Sequence, residues 1–380
     1  MKENWEYKKL GEVCEVVGGS TPKTTIEEYW QGDNYWVTPA ELIGNKYQGP
    51  TKRKISDDAV KSANLQLLPV GTVLLSSRAP IGKVAITTVP MYCNQGFKNL
   101  ICSEIILNEY VYWFLLKNND HLNSLGNGAT FKEISKRITE NIIIPVPPIE
   151  EQERIVGELD LLSGIIEKQK QQLKELDTLA QSIFYSMFGD PITNEKNWVI
   201  RSIGDLGEIV GGSTPSTLDE SNWDGDINWV TPAELNNQLF YGETQRKITR
   251  KAASKLTLMP IGTILLSSRA PIGKLAITTV PMCCNQGFKN IICGEEINNV
   301  FIYYLLSLTI EYIKALGRGA TFKEVSKQSI SNHKIIIPPI SLQNQFAEKI
   351  EKIEKQKEAI NKSIEETQKL FDYTMDKYFG

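Results

Sequence analysis

The sequence predicts an α/β protein with two tandemly repeated α/β domains, separated by two long helices that pair as an antiparallel coiled coil with pseudo-two-fold symmetry. Three observations predict this fold class. The first half of the chain is repeated in the second, each half alternates short apolar runs with Pro and Gly turns, and each half closes with a long heptad pattern. The 380-residue chain is 41% hydrophobic and 23% charged, which is typical of globular proteins.

The duplication runs along the whole chain. Residues 76–102 recur as 267–293 with three differences, and residues 36–42 recur as 229–235. A period of roughly 190 residues is too long for a solenoid repeat, so each copy is expected to be a domain of ordinary size. Two covalently joined like domains favour a two-fold arrangement, which suits a target that is itself two-fold symmetric, such as duplex DNA.

Within each domain the sequence predicts short strands and a few helices. Residues 71–77 are a predicted apolar strand and residues 83–88 a second strand, joined by the Pro/Gly turn at 78–82. Helices are expected at 57–64, 107–118 and 130–138. Proline-rich runs at 142–148 and 335–339 close the two copies, because proline cannot continue a central strand. The predicted organisation is a domain at 1–148, a long helix at 149–189, a second domain at 190–339 and a second long helix at 340–380.

Each long helix carries an apolar seam in alternating steps of three and four residues. Either helix alone would expose this stripe to water, so the two helices are expected to pair with each other. Polar Gln169, Lys357 and Thr367 interrupt the seam, where they lower stability but help to fix register. The predicted seam residues are Ile155, Leu159, Leu162, Ile166, Leu173, Leu176 and Ile183 in the first helix, and Phe346, Ile350, Ile353, Ile360, Ile364 and Phe371 in the second.

Charge and cysteine content narrow the possible functions. The net charge is −3, yet residues 1–148 and 190–339 each hold one more basic than acidic residue. Such a small excess is weak for attracting phosphates, so the basic residues are expected to cluster on one face, or a partner protein supplies much of the non-specific affinity for DNA. The six cysteines, with no secretory leader or apolar run of membrane-spanning length, predict a soluble cytoplasmic protein with free thiols.

The sequence does not predict a catalytic site or a metal site. Walker A, NPPY-type adenine methyltransferase and GxGxxG patterns are absent, and the two histidines, His121 and His333, occupy unmatched places in the two copies. The cysteine spacings fit no zinc pattern. The loops at 126–128 and 317–319 are interpreted equally well as phosphate-binding turns or as plain helix caps.

Four sequence blocks, each present in both halves, carry a resemblance to a known family. SSRAPIGK at 76–83, NQGFKN at 94–99, GATFKEISK at 128–136 and PPIEEQ at 147–152 return at 267–274, 285–290, 319–327 and 338–343. With the order of domains and helices, they resemble the specificity subunit of type I restriction-modification systems over the whole chain. The resemblance implies two target recognition domains, each reading one half of an asymmetric bipartite DNA site, with the helices as spacer.

The resemblance also implies partners for a non-catalytic chain. These are double-stranded DNA, two modification subunits that carry the adenine methyltransferase chemistry and, in a full restriction complex, motor nuclease subunits. S-adenosylmethionine and ATP are expected on those partner subunits only, so no cofactor is expected on this chain.

The residues best suited to DNA contact lie on predicted turns. Arg78 and Arg269 are the first candidates for reading a base, because a nearby proline fixes the turn; the alternative is that each arginine pairs with a carboxylate. The Asn–Gln pairs suit adenine or, alternatively, loop backbone groups. The lysines suit phosphate or are simply solvated, and the Ser–Thr pairs suit phosphate or simply form a turn. The predicted DNA-binding set is Ser20, Thr21, Arg78, Lys83, Asn94, Gln95, Lys98, Lys132, Ser213, Thr214, Arg269, Lys274, Asn285, Gln286, Lys289 and Lys323.

The repeat predicts half-sites of similar sequence on opposite strands, which make a near-palindrome interrupted by a spacer. Residues 43–68 and 236–258 differ most between the copies, so some bases are expected to differ. Two other function classes stay open at this point: a self-sufficient enzyme, and a DNA-binding coiled-coil scaffold or specificity module of a related methyltransferase system without a type I nuclease. The sequence fixes neither the bases nor the spacer length.

Overall fold

The structure is a computed structural model that describes residues 5–78, 80–126, 132–236, 238–317 and 323–380. The chain forms two compact units, Met1–Lys170 with Lys362–Gly380, and Gln171–Asn361. Each unit therefore contains one sequence repeat together with parts of both long helices. No helix in the described ranges is both long and apolar enough to cross a membrane.

The first repeat is built from three sheets of short strands and from several helices. One sheet has five strands in the order β2-β9-β6-β7-β4, a second has three in the order β5-β3-β8, and β1 pairs with β10. The strands are β1 Glu6–Lys9, β2 Cys14–Gly18, β3 Asn34–Val37, β4 Tyr47–Gln48, β5 Lys54–Ile55, β6 Val73–Leu75, β7 Val84–Thr87, β8 Tyr92–Cys93, β9 Lys98–Cys102 and β10 Ile143–Val146. The helices are α1 Leu10–Val13, α2 Asp57–Ser62, α3 Asn108–Lys117, α4 Asn119–Leu125, α5 Lys136–Glu140 and the long α6 Ile149–Phe188.

The second repeat has the same sheet topology. Its sheets have the orders β12-β19-β16-β17-β14 and β15-β13-β18, with β11 paired to β20. The strands are β11 Val199–Ser202, β12 Gly207–Gly211, β13 Trp223–Val230, β14 Phe240–Tyr241, β15 Arg246–Ile248, β16 Ile264–Leu266, β17 Leu275–Thr278, β18 Met282–Cys284, β19 Lys289–Cys293 and β20 Lys334–Ile337. The helices are α7 Arg250–Ala253, α8 Asn299–Leu308, α9 Ile310–Ala315, α10 Lys327–Ser331 and the long α11 Ile340–Phe379. The repeated order confirms the predicted α/β class and the duplication.

The long helices pack against each other within each unit. In the first unit the amino-terminal part of α6 meets the carboxyl-terminal part of α11, where the Tyr378 hydroxyl donates to Glu158 over 2.7 Å. In the second unit the parts are exchanged: Lys357 contacts Asp177 at 2.9 Å, and the Phe184 and Phe346 rings lie 5.6 Å apart. This exchange shows that the two helices run antiparallel, as the pseudo-two-fold symmetry of the duplicated chain predicts.

Side chains from both long helices complete the core of each repeat. The helix α3 is apolar on almost all sides, which is the pattern of a buried helix, and it lies in one cluster with Ile155, Leu159, Met375 and Phe379. In the second unit, Phe184 and Phe188 join Phe301 and Phe346 in the corresponding cluster. The predicted seam does not contain Phe184, Phe188, Met375 or Phe379, because they pack against the domain beside the helix pair.

The third predicted helix of the repeat begins later than expected. The prediction places a helix at 130–138, whereas α5 begins at Lys136. The Ser135 hydroxyl accepts from the Ile138 amide at 3.2 Å and caps the helix, while Glu133 forms a β-bridge with Arg78. A backbone that bridges to another segment cannot at the same time make helical hydrogen bonds, so the helix starts after it.

Candidate DNA-recognition surface

Two loops and the β6–β7 turn meet at one end of the five-stranded sheet. Strand β2 leads into the Gly18-Gly19-Ser20-Thr21 loop, and the Asn94-Gln95 loop leads into β9. A Cβ atom at Gly19 would lie only 2.2 Å from the Cys93 carbonyl oxygen, so glycine alone permits this crossing. The close approach lets the Ser20 amide donate to that carbonyl at 3.1 Å and the Thr21 hydroxyl donate to Gln95. Gly212, Ser213, Thr214 and Gln286 repeat this arrangement in the second unit.

Arg78 and Lys98 converge on one carboxylate, Glu133. Lys98 Nζ lies 3.1 Å from Glu133 Oε1, and Arg78 Nη1 lies 3.8 Å from Glu133 Oε2. The second distance is an ion pair but is too long for a hydrogen bond. The Arg78 side chain is 35% exposed and the Lys98 side chain 13%. The arginine can therefore reach solvent, whereas the lysine is largely enclosed.

The same arrangement stands in the second unit. Lys289 Nζ lies 3.1 Å and Arg269 Nε 3.0 Å from the Glu324 carboxylate. Partial burial acts to raise the pKa of Glu324, but the hydrogen bonds from Lys289 and Arg269 outweigh it and hold that pKa below its usual value. The carboxylate is therefore charged at neutral pH and keeps both cations in place.

A pocket of about 520 Å³ opens beside this cluster in the first unit, which is within the size range of ligand pockets. Two hydrogen bonds hold lining residues of this pocket: the Lys83 ammonium donates to the Pro39 carbonyl at 3.0 Å, and the Glu41 carboxylate accepts from the Thr38 amide at 3.0 Å. The polar side chains that line the pocket are those of Arg78, Asn94, Glu133 and Thr38. Its lining residues are Thr38, Pro39, Ala40, Arg78, Asn94, Gly96 and Glu133.

The structure clarifies several predicted contacts without assigning them to DNA. Asn94 Oδ1 accepts from the Gly96 amide at 2.9 Å, and Asn285 makes the same bond with Gly287. These bonds match the alternative that the amides order their loops, although each leaves the amide nitrogen to donate elsewhere. Gln95 and Gln286 are exposed. Lys274 repeats the contact of Lys83 through the Ala233 carbonyl, at 3.4 Å.

Lys132 and Lys323 are exposed. The loop candidates at 126–128 and 317–319 fall largely on residues 127–131 and 318–322, which lie outside the described residues.

Glu133 and Glu324 occupy matching positions in the two copies but are not in the predicted DNA-binding set. The sequence does contain a signal for this contact. An acidic residue that is repeated in both copies, together with repeated basic residues, indicates an ion pair. The contact itself is not visible in the sequence, since 55 positions (133 − 78) separate Arg78 from Glu133. The alternative that the arginines pair with a carboxylate describes both units.

The chain is similar to known proteins of one family along most of its length. A family model described as the type I restriction modification DNA specificity domain matches residues 2–177 and 195–368. The chain is 30% identical over 376 residues to the type I restriction enzyme MjaIX specificity subunit of Methanocaldococcus jannaschii, covering 90% of this chain and 85% of the relative. It is 32% identical over 162 residues to the EcoR124I/EcoR124II specificity subunit of Escherichia coli, covering 41% and 40% of the two chains.

Solved structures agree with this result at the level of the fold. The S subunit of the type I restriction-modification system from M. genitalium matches with a TM-score of 0.62 at 14% identity, over 100% of this chain and 98% of that one. A chain from a study of complex assembly and conformational transition of the type I R-M system matches with a TM-score of 0.62 at 19% identity and the same coverage. The family match spans most of both repeats, and the chain therefore belongs to the type I restriction-modification specificity subunits, the non-catalytic DNA-specificity component of these complexes.

Proposed function

We propose that the two repeats, residues 1–148 and 190–339, are target recognition domains and that each reads one half of a bipartite DNA site. The observation that carries this proposal is the recurrence of one arrangement in both units: an exposed arginine held by a glutamate that a nearly buried lysine also contacts. An arginine at a fixed position can donate two hydrogen bonds to guanine O6 and N7. Two copies of such a reader suit a site with two halves.

The residues of the surface divide by their surroundings. Arg78 and Arg269 are proposed to read bases, with the amide nitrogens of the Asn–Gln loops beside them. Lys132 and Lys323, with Ser20, Thr21 and their copies, are proposed to meet phosphates. Lys98 and Lys289 act through the glutamates that they hold. Lys83 and Lys274 contribute charge beside the Pro39 and Ala233 carbonyls to which they donate.

Since like residues recur at like places, the two half-sites are proposed to be similar sequences on opposite strands, a near-palindrome. The test is to express the chain with its modification subunits and map the methylated adenines by sequencing. Two wholly unrelated half-sites would contradict the near-palindrome.

The long helices, residues 149–189 and 340–380, are proposed to set the spacer between the half-sites and to dock two modification subunits. Each helix has 40 residues, about 60 Å at 1.5 Å per residue, which exceeds the roughly 34 Å between half-sites one DNA turn apart. Inserting four residues, about 6 Å of helix, into α6 and into α11 should lengthen the spacer by one or two base pairs and leave each half-site unchanged. A change in half-site sequence would mean that the helices read bases.

Partners are proposed to supply the chemistry. Two modification subunits would carry S-adenosylmethionine, and motor nuclease subunits, where they join, would carry ATP. Because each repeat has only a small basic excess, the isolated chain is expected to shift duplex DNA weakly in a gel and the reconstituted complex strongly. Methyl transfer by the purified chain alone would contradict its non-catalytic role.

A further inference from the structure

Two cysteines face each other across neighbouring strands of the first recognition domain. Cys14 at the start of β2 is the register partner of Cys102 at the end of β9, and their sulfur atoms lie 3.7 Å apart. Residues directly opposite in an antiparallel pair have Cα atoms about 4.5–5.5 Å apart, within the range that a disulfide spans. A bond needs the sulfurs to approach to about 2.05 Å, which side-chain rotation and a small backbone shift provide.

The second repeat offers a natural comparison. Glycine 207 stands opposite Cys293 at the matching register position. A Cβ atom at Gly207 would lie 2.5 Å from the Ile292 carbonyl oxygen, so this strand pair cannot accept a cysteine there without moving. Cys283 and Cys284 are adjacent in β18, and adjacent residues of a strand point to opposite faces. Among the described residues, only the first domain places two thiols face to face across a strand pair.

We propose that Cys14 and Cys102 are a redox-modification site, at which the two thiols form a reversible disulfide with low-molecular-weight disulfides such as glutathione disulfide. Cys102, the more exposed of the two, attacks the small disulfide as a thiolate and releases one glutathione thiolate. The Cys14 thiolate then attacks the sulfur of Cys102 in the mixed disulfide and releases the second. Two protein thiols and one glutathione disulfide thus give one protein disulfide and two glutathione molecules.

Local electrostatics set the rate of this exchange. The hydrogen bond with Cys14, burial and nearby Glu109 all raise the pKa of the Cys102 thiol. Only the thiolate is nucleophilic, so the pair is expected to stay reduced under mild conditions and to oxidise faster as pH rises.

Cys14 and Cys102 lie at the ends of β2 and β9 that are remote from the Thr21 and Gln95 loops, because β2 enters its loop after Gly18 and β9 leaves its loop at Lys98. The bond therefore reinforces the domain without rebuilding the recognition loops.

The experiment treats the full-length chain with glutathione disulfide at neutral and at alkaline pH, alkylates the remaining thiols and maps them by mass spectrometry. The expected product lacks two hydrogens, links the Cys14 and Cys102 peptides, forms faster at alkaline pH and reverts with dithiothreitol. Since 88 positions separate the two cysteines, the bond should also raise the thermal midpoint of the first unit by roughly 5–10 °C.

Matched variants make the result decisive. C14S and C102S should each abolish the linked peptide and the thermal shift, whereas C293S in the second repeat should change neither. Glutathione adducts that persist on Cys102, a disulfide to another cysteine, or thiols that remain free at alkaline pH would each overturn the proposal. The readout is covalent and needs no DNA, so its failure is separate from a failure of the recognition proposal.

Discussion

The two repeats share one framework, and the clearest difference in length and charge between them lies in one segment. Their sheets have the same strand order, and the Arg–Glu–Lys cluster stands in both. The segment 43–68 differs from 236–258 in charge as well as sequence: α2 begins with Asp57 and Asp58, whereas α7 begins with Arg250 and Lys251. Under the proposed function, the shared framework would position the same reading arginine in both units, and the variable segment would make the two half-sites differ.

The two variable segments also differ in the contacts that they make with the long helices. In the first unit, Lys46 Nζ donates to Asp160 of α6 at 2.7 Å, and Trp113 Nε1 donates to the same carboxylate at 3.0 Å. In the second unit the position of Lys46 is held by Leu239, which is buried in the apolar core. The first variable segment is thus held by charged and polar contacts, and the second is held by apolar packing.

The largest expected effect is a loss of stability in each unit when a buried glutamine of the shared framework is replaced. The Gln152 side chain is fully buried and bonds the Leu107 amide and the Ile105 and Pro147 carbonyls; Gln343 makes the matching bonds. Each of Q152A and Q343A should lower the stability of its own unit by about 3 kcal/mol, because buried polar groups lose their partners. Hydrogen exchange resolved by unit measures this, with exposed Gln181→Ala as control. Strongly unequal losses would show that the frameworks are not equivalent.

The next effect separates the two readers. R78A should weaken binding of the reconstituted complex to DNA by about 1–3 kcal/mol and relax specificity at one half-site, and R269A should do so at the other. Binding to probes mutated in each half-site measures both. The exposed Arg137→Ala on α5 is the control for charge. If R78A weakened all sequences equally, Arg78 would be a phosphate contact.

A smaller effect tests the fastening of the first variable segment. A double-mutant cycle of K46A and D160A should give a coupling free energy of about 1 kcal/mol, because the lysine is mostly enclosed while the carboxylate is partly exposed. The matched cycle of L239A and E351A in the second repeat should give a value near zero. Urea unfolding followed by tryptophan fluorescence measures both, and equal couplings would remove this distinction between the repeats.

The smallest effect concerns the helix starts. Acidic residues are favoured at the positive end of the helix dipole, so D58K should destabilise α2 by about 0.3–1 kcal/mol. K251D should stabilise α7 by a similar amount, because it leaves Arg250 in its ion pair with Asp226 at 2.8 Å. If this helix faces DNA, K251D should also reduce the salt dependence of binding by about one phosphate contact. Thermal melts and a salt titration of binding check the two parts. An unchanged salt dependence would place α7 away from DNA.

The sequence alone predicts most of the fold but less of the recognition surface. Heptads and strand–turn–strand runs are local patterns, so the helix pair and the duplication are readable from the sequence. The start of α5 is not, because it depends on the bridge between Glu133 and Arg78. Lys98 looks like a solvated phosphate contact in sequence, yet the structure encloses it beside Glu133. The start of α5 and the burial of Lys98 both depend on contacts between residues far apart in sequence. A residue pattern within one segment cannot predict such contacts.

The division of the chain into units has a consequence for synthesis on the ribosome. Domains generally fold in the order in which they emerge, but the core of the first unit includes Met375, Tyr378 and Phe379. The second unit is continuous in sequence, Gln171–Asn361, and can finish folding first. The repeat that is translated earlier is therefore expected to be completed later, with part of its apolar surface uncovered until the rest of the chain has been made.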